Sequence, residues 1–354
     1  MTRRLYDAVA LGLSAYANGG FRVHALGDRF RLEPGGLLVS SHRSDADVPV
    51  LVSVLYRQAY GRVRRRGPEL HFAVRDDLFV RGFFGGYPPG LPQWARRLLF
   101  PLAVGGVLER RLPCHPIRSA TRMRIAELFA EHGDEPVDEL LPEELLHPFH
   151  ERGLRRRAHA RDALRGRYAD LLWRVLEPTE TVGPLAEESW RRRAAAALAD
   201  FRRLCDLVRS GETLLLFPEG RPSPDGELGP VQPGLAALVR RARPSSLRPL
   251  ALAYDPLVSG RPHAYVGVGA PVEPCEDEDA VLDLLRRTTP LTPGQLVASG
   301  AGEGEIDAAV AEGRLVAPEL LDPKTRAARL AEARAVAAGH DLHRLAREYR
   351  SAHA

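Results

Sequence analysis

His42 and Asp47 stand five residues apart, and an imidazole with a carboxylate at that distance has the makings of a general base and its orienting acid. Small polar residues, Ser40 and Ser41, precede the histidine, and Arg43 and Ser44 follow it. No serine or cysteine sits in a nucleophile-elbow setting, so the pair reads as proton-transfer machinery without a covalent intermediate. Spacing alone is weakly selective in a chain with 12 histidines. His71 and Asp76 repeat it, but Leu70, Phe72 and Val74 alternate with His71, Ala73 and Arg75. That alternation predicts a half-exposed strand in which His71 has no chemical role. His147 and His150 lie beside Glu143 and Glu144, yet Pro148 separates them and no third ligand is evident, so no metal site is expected. Cys114, Cys205 and Cys275 are odd in number and far apart, the pattern of reduced thiols in a cytosolic protein.

The elements that must hold the pair can be read on either side of it. Leu37, Leu38 and Val39 form a short apolar run after the turn at Pro34, Gly35 and Gly36, which predicts a buried strand. A helical pattern then opens at about residue 46 and continues through Val50, Leu51, Val54 and Leu55 to about residue 59. Further elements predicted are a helix over 3–17, strands over 21–26 and 70–75, and charge-rich helical pieces over 118–132 and 150–176 flanking an acidic loop. A helix over 187–209 carries Trp190, Leu198, Phe201 and Leu204 on one face. A strand over 213–217, a long turn rich in glycine and proline, a helix over 233–243 and strands over 249–254 and 264–269 follow. Small helices are expected over 293–298, 305–312 and 324–349. Strand–helix alternation on both sides of an irregular segment predicts an α/β fold with a mixed, mostly parallel sheet and flanking helices.

With 354 residues and 44% hydrophobic composition, the chain has enough apolar surface for a substantial core. Its net charge is +4, and Lys324 is the only lysine, so the positive charge is almost entirely guanidinium. The arginine runs at 62–66, 152–157 and 191–193 fall in separate elements without interleaved aromatics, which argues against a nucleic-acid partner. No signal peptide is visible, and the longest apolar run, 98–108, is interrupted by Pro101 and well short of the roughly 20 residues a spanning helix needs. Residues 79–111 combine Phe83, Phe84, Tyr87, Trp94 and Phe100 with Arg96, Arg97, Arg110 and Arg111. Such a stretch fits either a loop over the core or a surface pressed into a lipid interface.

Two blocks make the pattern specific. Ser41 to Asp47 resembles the Asn-His-x4-Asp block of the glycerolipid acyltransferases, the family of 1-acylglycerol-3-phosphate and glycerol-3-phosphate acyltransferases. Phe217, Pro218, Glu219, Gly220, Arg221, Pro222 and Ser223 resemble that family's Phe-Pro-Glu-Gly-Thr-Arg-Ser block. Asp225–Leu228, Arg248–Leu252 and Gly269–Val272 are similar to later family stretches, and Arg111 matches its phosphate-binding arginine best. Together these blocks cover roughly residues 20–111 and 187–274.

The resemblance implies an acyltransferase core over 1–115 and 186–288, a helical insertion over 116–185 and a helical extension over 289–354. It implies His42 and Asp47 as catalytic residues, with Arg43, Ser44, Arg111, Glu219, Gly220, Arg221, Ser223 and Pro249 binding substrate. Acyl-CoA or acyl carrier protein would be the co-substrate, with no other cofactor. A lysophospholipid or glycerol-phosphate would be the acceptor, met by a cytoplasmic protein attached peripherally to the inner face of the membrane. The chain departs from the family pattern where Ser41 replaces asparagine, where Arg221 comes one place early with Pro222 after it, and in the length between Arg111 and Phe217. A non-phosphorylated lipid or glycolipid acceptor, or a catalytically inactive lipid-binding relative, are the alternatives it leaves.

Overall fold

Continuous apolar runs form strands buried on both faces, and the runs of this chain do so in a mostly parallel sheet. The computed structural model describes residues 3–60, 70–79, 92, 94, 95, 98, 112–223 and 225–353. The chain divides into two compact units: Thr2–Phe72 with Leu204–Ala354, and Met1 with Ala73–Arg203. The expected boundaries near 115, 186 and 288 differ from these. Residues beyond 288 belong to the same unit as most of the sheet.

The strands are β1 Arg22–Gly27, β2 Leu37–Ser40, β3 Leu70–Arg75, β4 Cys114–Ile117, β5 Met123–Arg124, β6 Val175–Leu176, β7 Thr213–Leu216, β8 Leu247–Asp255 and β9 His263–Val268. Seven of them form one sheet in the order β1-β9-β8-β2-β7-β3-β4. The β1/β9, β2/β7, β2/β8 and β3/β7 pairs are parallel, whereas β8/β9 is antiparallel. Every residue of β2 and β7 is buried, as expected for the centre of such a sheet. β3 departs from the predicted half-exposed strand: Leu70, His71, Phe72 and Ala73 are all buried, because β3 lies inside the sheet.

Within the larger unit, helices Arg3–Gly20 and Asp47–Tyr60 pack on each other and on β1. The helices after residue 288 form a second layer, burying Leu291, Leu296, Ile306, Leu320 and Leu330 around Ala253 and Tyr265 of the sheet. Ala253 and Tyr265 are paired across β8 and β9. The next residue, Tyr254, turns to the opposite face and reaches Asp47 at the head of the second helix. The two helical layers therefore cover opposite faces of the sheet. The expected helix over 324–349 is two helices, Pro323–Val336 and Leu342–His353.

The smaller unit has its own core, in which Phe129, Leu140, Phe149, Tyr168, Leu172 and Trp190 are buried together. Arg193 binds both Asp76 and Glu127 there, and Arg118 holds Asp200 at 2.8 Å. The helix expected over 150–176 is replaced by short turns at Ala160–Ala163 and Ala169–Leu172 and by β6, which pairs antiparallel with β5. Leu154, Ala158, Ala160, Ala163, Tyr168, Ala169, Leu172 and Leu176 are all buried, and no single helical face presents that set. No helix among the described residues is long and apolar enough to cross a membrane.

Candidate active site

Parallel neighbours leave a sheet at the same end, and this places the two sequence blocks side by side. Val39 of β2 is registered against Leu216 of β7. Three residues beyond each come His42 and Glu219, and the His42 backbone N–H donates to Glu219 Oε1 at 2.8 Å. Glu219 Oε2 accepts from the Gly229 N–H at 2.7 Å, so the carboxylate fastens the two loops together. Burial pushes the Glu219 carboxyl above its ordinary pKa, opposed by these hydrogen bonds and by the charges of Arg43 and His42. The site lies outside the carboxyl ends of the strands, where open α/β sheets bind ligands.

Asp47 sits in the first turn of its helix and is fully buried. Its Oδ2 accepts from His42 Nδ1 at 2.8 Å, from the Arg43 N–H at 2.6 Å and from the Ser44 N–H at 3.0 Å. Its Oδ1 accepts from the Tyr254 hydroxyl at 2.6 Å. Burial, the Asp47 charge and this hydrogen bond hold the tyrosine well above its ordinary pKa, so it remains a donor. Ser44 and Asp47 work as a reciprocal cap, since Ser44 Oγ accepts from the Ala46 N–H while Asp47 accepts from the Ser44 N–H. The His42 ring stacks on Phe217, with centroids 4.2 Å apart. With Nδ1–H given to Asp47, His42 Nε2 is the nitrogen left to exchange a proton with a bound hydroxyl.

The other predicted residues have diverse places. Arg43 is only 2% exposed; its guanidinium donates to the Gly226 carbonyl and lies near the buried carboxyl of Glu348. Its partners are thus the protein's own loop and last helix. Ser223 is buried: its N–H donates to the His42 carbonyl at 2.9 Å, and its Oγ accepts from the Gly226 N–H at 2.8 Å. Gly220 has φ +74°, a turn that a side chain would strain, and Arg221 beside it is exposed. Arg221 makes no ion pair with Glu219 or Glu227 among the described residues. Pro249 is buried in β8, in register with Val39 of β2 and just before the β8/β9 pairing begins, and its carbonyl accepts from the Gly269 N–H. Arg111 lies outside the described residues, as does most of 79–111. His71 is buried with Nε2 3.5 Å from Glu212, while Asp76 is held by Arg193. His147 pairs with Glu151 and His150 bonds the Leu154 carbonyl.

Sequence reasoning missed several contributors. Tyr254 carries no local signal, because it is 207 residues from its partner. Ser41 Oγ accepts from the Leu252 N–H at 2.9 Å, tying the corner to β8. The last helix, Leu342–His353, reaches the same loops: Arg344 donates to the Arg43 carbonyl at 2.6 Å, Arg347 to the Asp225 carbonyl at 3.2 Å, and Ser351 Oγ accepts from Leu228 at 2.8 Å. Set against protein-family models and against curated proteins, the chain matches none.

Proposed function

We propose that this chain is an O-acyltransferase of the glycerolipid type, moving a fatty acyl group from acyl-CoA or acyl carrier protein to an acceptor hydroxyl. One observation carries the reading: a histidine whose Nδ1 is bound at 2.8 Å to a buried carboxylate held by three further donors. His42 Nε2 takes the hydroxyl proton as that oxygen attacks the thioester carbonyl. The new C–O bond forms, the C–S bond breaks, and the leaving thiolate is reprotonated from the imidazolium. Asp47 keeps Nδ1–H in place and offsets the charge of the imidazolium. The motif resemblance of Ser41–Asp47 and Phe217–Ser223 supports the same chemistry.

For the acceptor we propose a phosphate-bearing lipid or lipid precursor, such as lysophosphatidate, held by Arg221. A guanidinium fork answers both the charge and the shape of a phosphate. Arg221 is exposed and makes no ion pair among the described residues, which suits that role. The enzyme would meet this acceptor as a peripheral protein on a membrane surface. The test is incubation of the purified chain with labelled acyl-CoA or acyl carrier protein and a panel of glycerol 3-phosphate, lysophosphatidate, other lysophospholipids and hydroxylated glycolipids. Transfer to a phosphorylated acceptor is expected, and Arg221→Ala should raise the KM for that acceptor about tenfold with the donor KM unchanged. Transfer only to glycolipids would replace the phosphate assignment with a non-phosphorylated acceptor. Transfer to none would leave a lipid-binding relative without activity.

A further inference from the structure

At the edge of the sheet, on the face covered by the helices after residue 288, three metal-ligating side chains converge away from His42. His24 comes from β1, His263 from the first position of β9 and Glu319 from the short helix Pro318–Leu321. One ligand atom from each lies within 4.8 Å of the other two. The convergence follows from register. His24 is paired with Tyr265, and His263, two residues earlier on β9, shares the Tyr265 face. The His24 ring stacks on Tyr265 and stands 4.9 Å from the His263 ring, centroid to centroid.

Hydrogen bonding explains only part of this group. His263 Nδ1 is 3.0 Å from Glu319 Oε1, and the Tyr265 hydroxyl donates to the same oxygen at 3.0 Å. His24 Nε2 and Glu319 Oε2 are shielded from solvent, and neither has a hydrogen-bond partner among the described residues. Buried polar atoms are nearly always satisfied, and two orphans in one three-residue cluster call for a common partner. A cation satisfies a lone pair of the imidazole and one of the carboxylate at once.

We infer that His24, His263 and Glu319 form a binding site for a divalent transition-metal ion of the zinc class. Two imidazoles and a carboxylate are ligands that zinc accepts in tetrahedral geometry, at about 2.0–2.2 Å. Closing the present 4.8 Å separation to tetrahedral spacing takes side-chain movements of roughly 1 Å. The Tyr265 oxygen or a water completes the shell. The ion ties residue 319 to β1 and β9, so it staples the helical layer that ends in Leu342–His353, the helix that braces the His42 loops. The site stands independently of acyl transfer.

The experiment uses the full chain, stripped with chelator and titrated with Co²⁺ and Zn²⁺. One Co²⁺ per chain with the visible absorption of a tetrahedral N/O site is expected, as is a rise in melting midpoint on adding Zn²⁺. His24→Gln and Glu319→Gln, each verified as folded by circular dichroism, should each lower Co²⁺ affinity at least tenfold and abolish the Zn²⁺-dependent rise. His24 is on an edge strand and partly exposed, so its variant decides the matter if Glu319→Gln fails to fold. A parent chain that gives no Co²⁺ absorption and no rise with Zn²⁺ overturns the inference. So does binding that both variants retain in full, which would locate the metal elsewhere.

Discussion

A histidine base is only as effective as the groups that fix its tautomer, and in the proposed reaction that duty falls on Asp47. Four donors converge on its two oxygens, and only one of them is the imidazole. The backbone N–H groups of Arg43 and Ser44 hold the carboxylate from the histidine's own loop, and Tyr254 holds it from β8. His42→Ala should lose about 10²–10⁴ in turnover, the usual contribution of a positioned general base. Asp47→Asn should be comparably severe, because an amide gives the ring the wrong hydrogen-bond partner; the like change costs about 10⁴ in the serine-protease triad that serves as the general template. Tyr254→Phe keeps the ring and removes one donor, so a loss of about 1–3 kcal/mol in stability with a smaller loss of turnover is expected. His71→Ala should leave kcat nearly unchanged. Steady-state kinetics on the four purified variants check the set, and equal losses at His71 and His42 would refute the assignment of the base.

At the scale of elements, the last helix is the one whose importance no motif announces. Gly226 has φ +93°, and a Cβ there would stand 2.5 Å from Glu348 Cγ and 3.0 Å from the Arg344 carbonyl. Gly226→Ala is therefore expected to cost about 2 kcal/mol, from a left-handed backbone and a backbone contact that cannot yield. Its melting midpoint should fall by several degrees, and turnover should fall with it because the loop carries Ser223, which binds the His42 carbonyl. The same helix makes the protein sensitive to acid. Both ring nitrogens of His353 are shielded, and burial, then the charges of Arg314 and Arg43, push its pKa from 6.5 down to about 3. The unfolded chain takes up a proton that the folded chain refuses, so this stability is present above about 6.5 and is lost as pH falls toward 3. At pH 5 the loss is about 2 kcal/mol. Thermal melts at pH 7 and pH 5 should differ less in His353→Phe than in the parent. The buried carboxyls of Glu219 and Glu348, raised by burial, act in the opposite sense in both proteins and leave the comparison intact.

For the molecule as a whole, the proposed function raises the question of how it would meet a lipid acceptor. Leu11 and Tyr16 of the first helix are exposed, as are Trp94 and Leu98. Exposed apolar side chains with arginines nearby in sequence suit reversible attachment, each basic residue adding about 1 kcal/mol near an anionic surface. The chain should co-sediment with vesicles containing anionic phospholipid at low salt and release at high salt. Leu11→Ser with Tyr16→Ser should weaken that binding several-fold without lowering the melting midpoint. Failure to co-sediment at either salt concentration would remove the membrane from the proposal.

What the sequence determined by itself was whatever depends on neighbours along the chain. The apolar run 37–39, the turn before it and the helix signal after it located the His42 corner, and the strand at 70–75 was readable to the residue. Periodicity and turn chemistry are local forces, so they leave local marks. The helix expected over 150–176 failed for the same reason: its apolar residues are buried by the packing of short turns, which no helical period records. Only the tertiary structure decided that Glu219 meets the His42 backbone from 177 residues away, since that contact depends on the parallel register of β2 and β7. It likewise turned Arg43 inward to Gly226, delivered Tyr254 to Asp47 and laid the last helix over the loop that carries His42 and Arg43. Those partners are chosen by which strands pair and which face of the sheet each side chain takes, and the sequence near His42 carries no record of either.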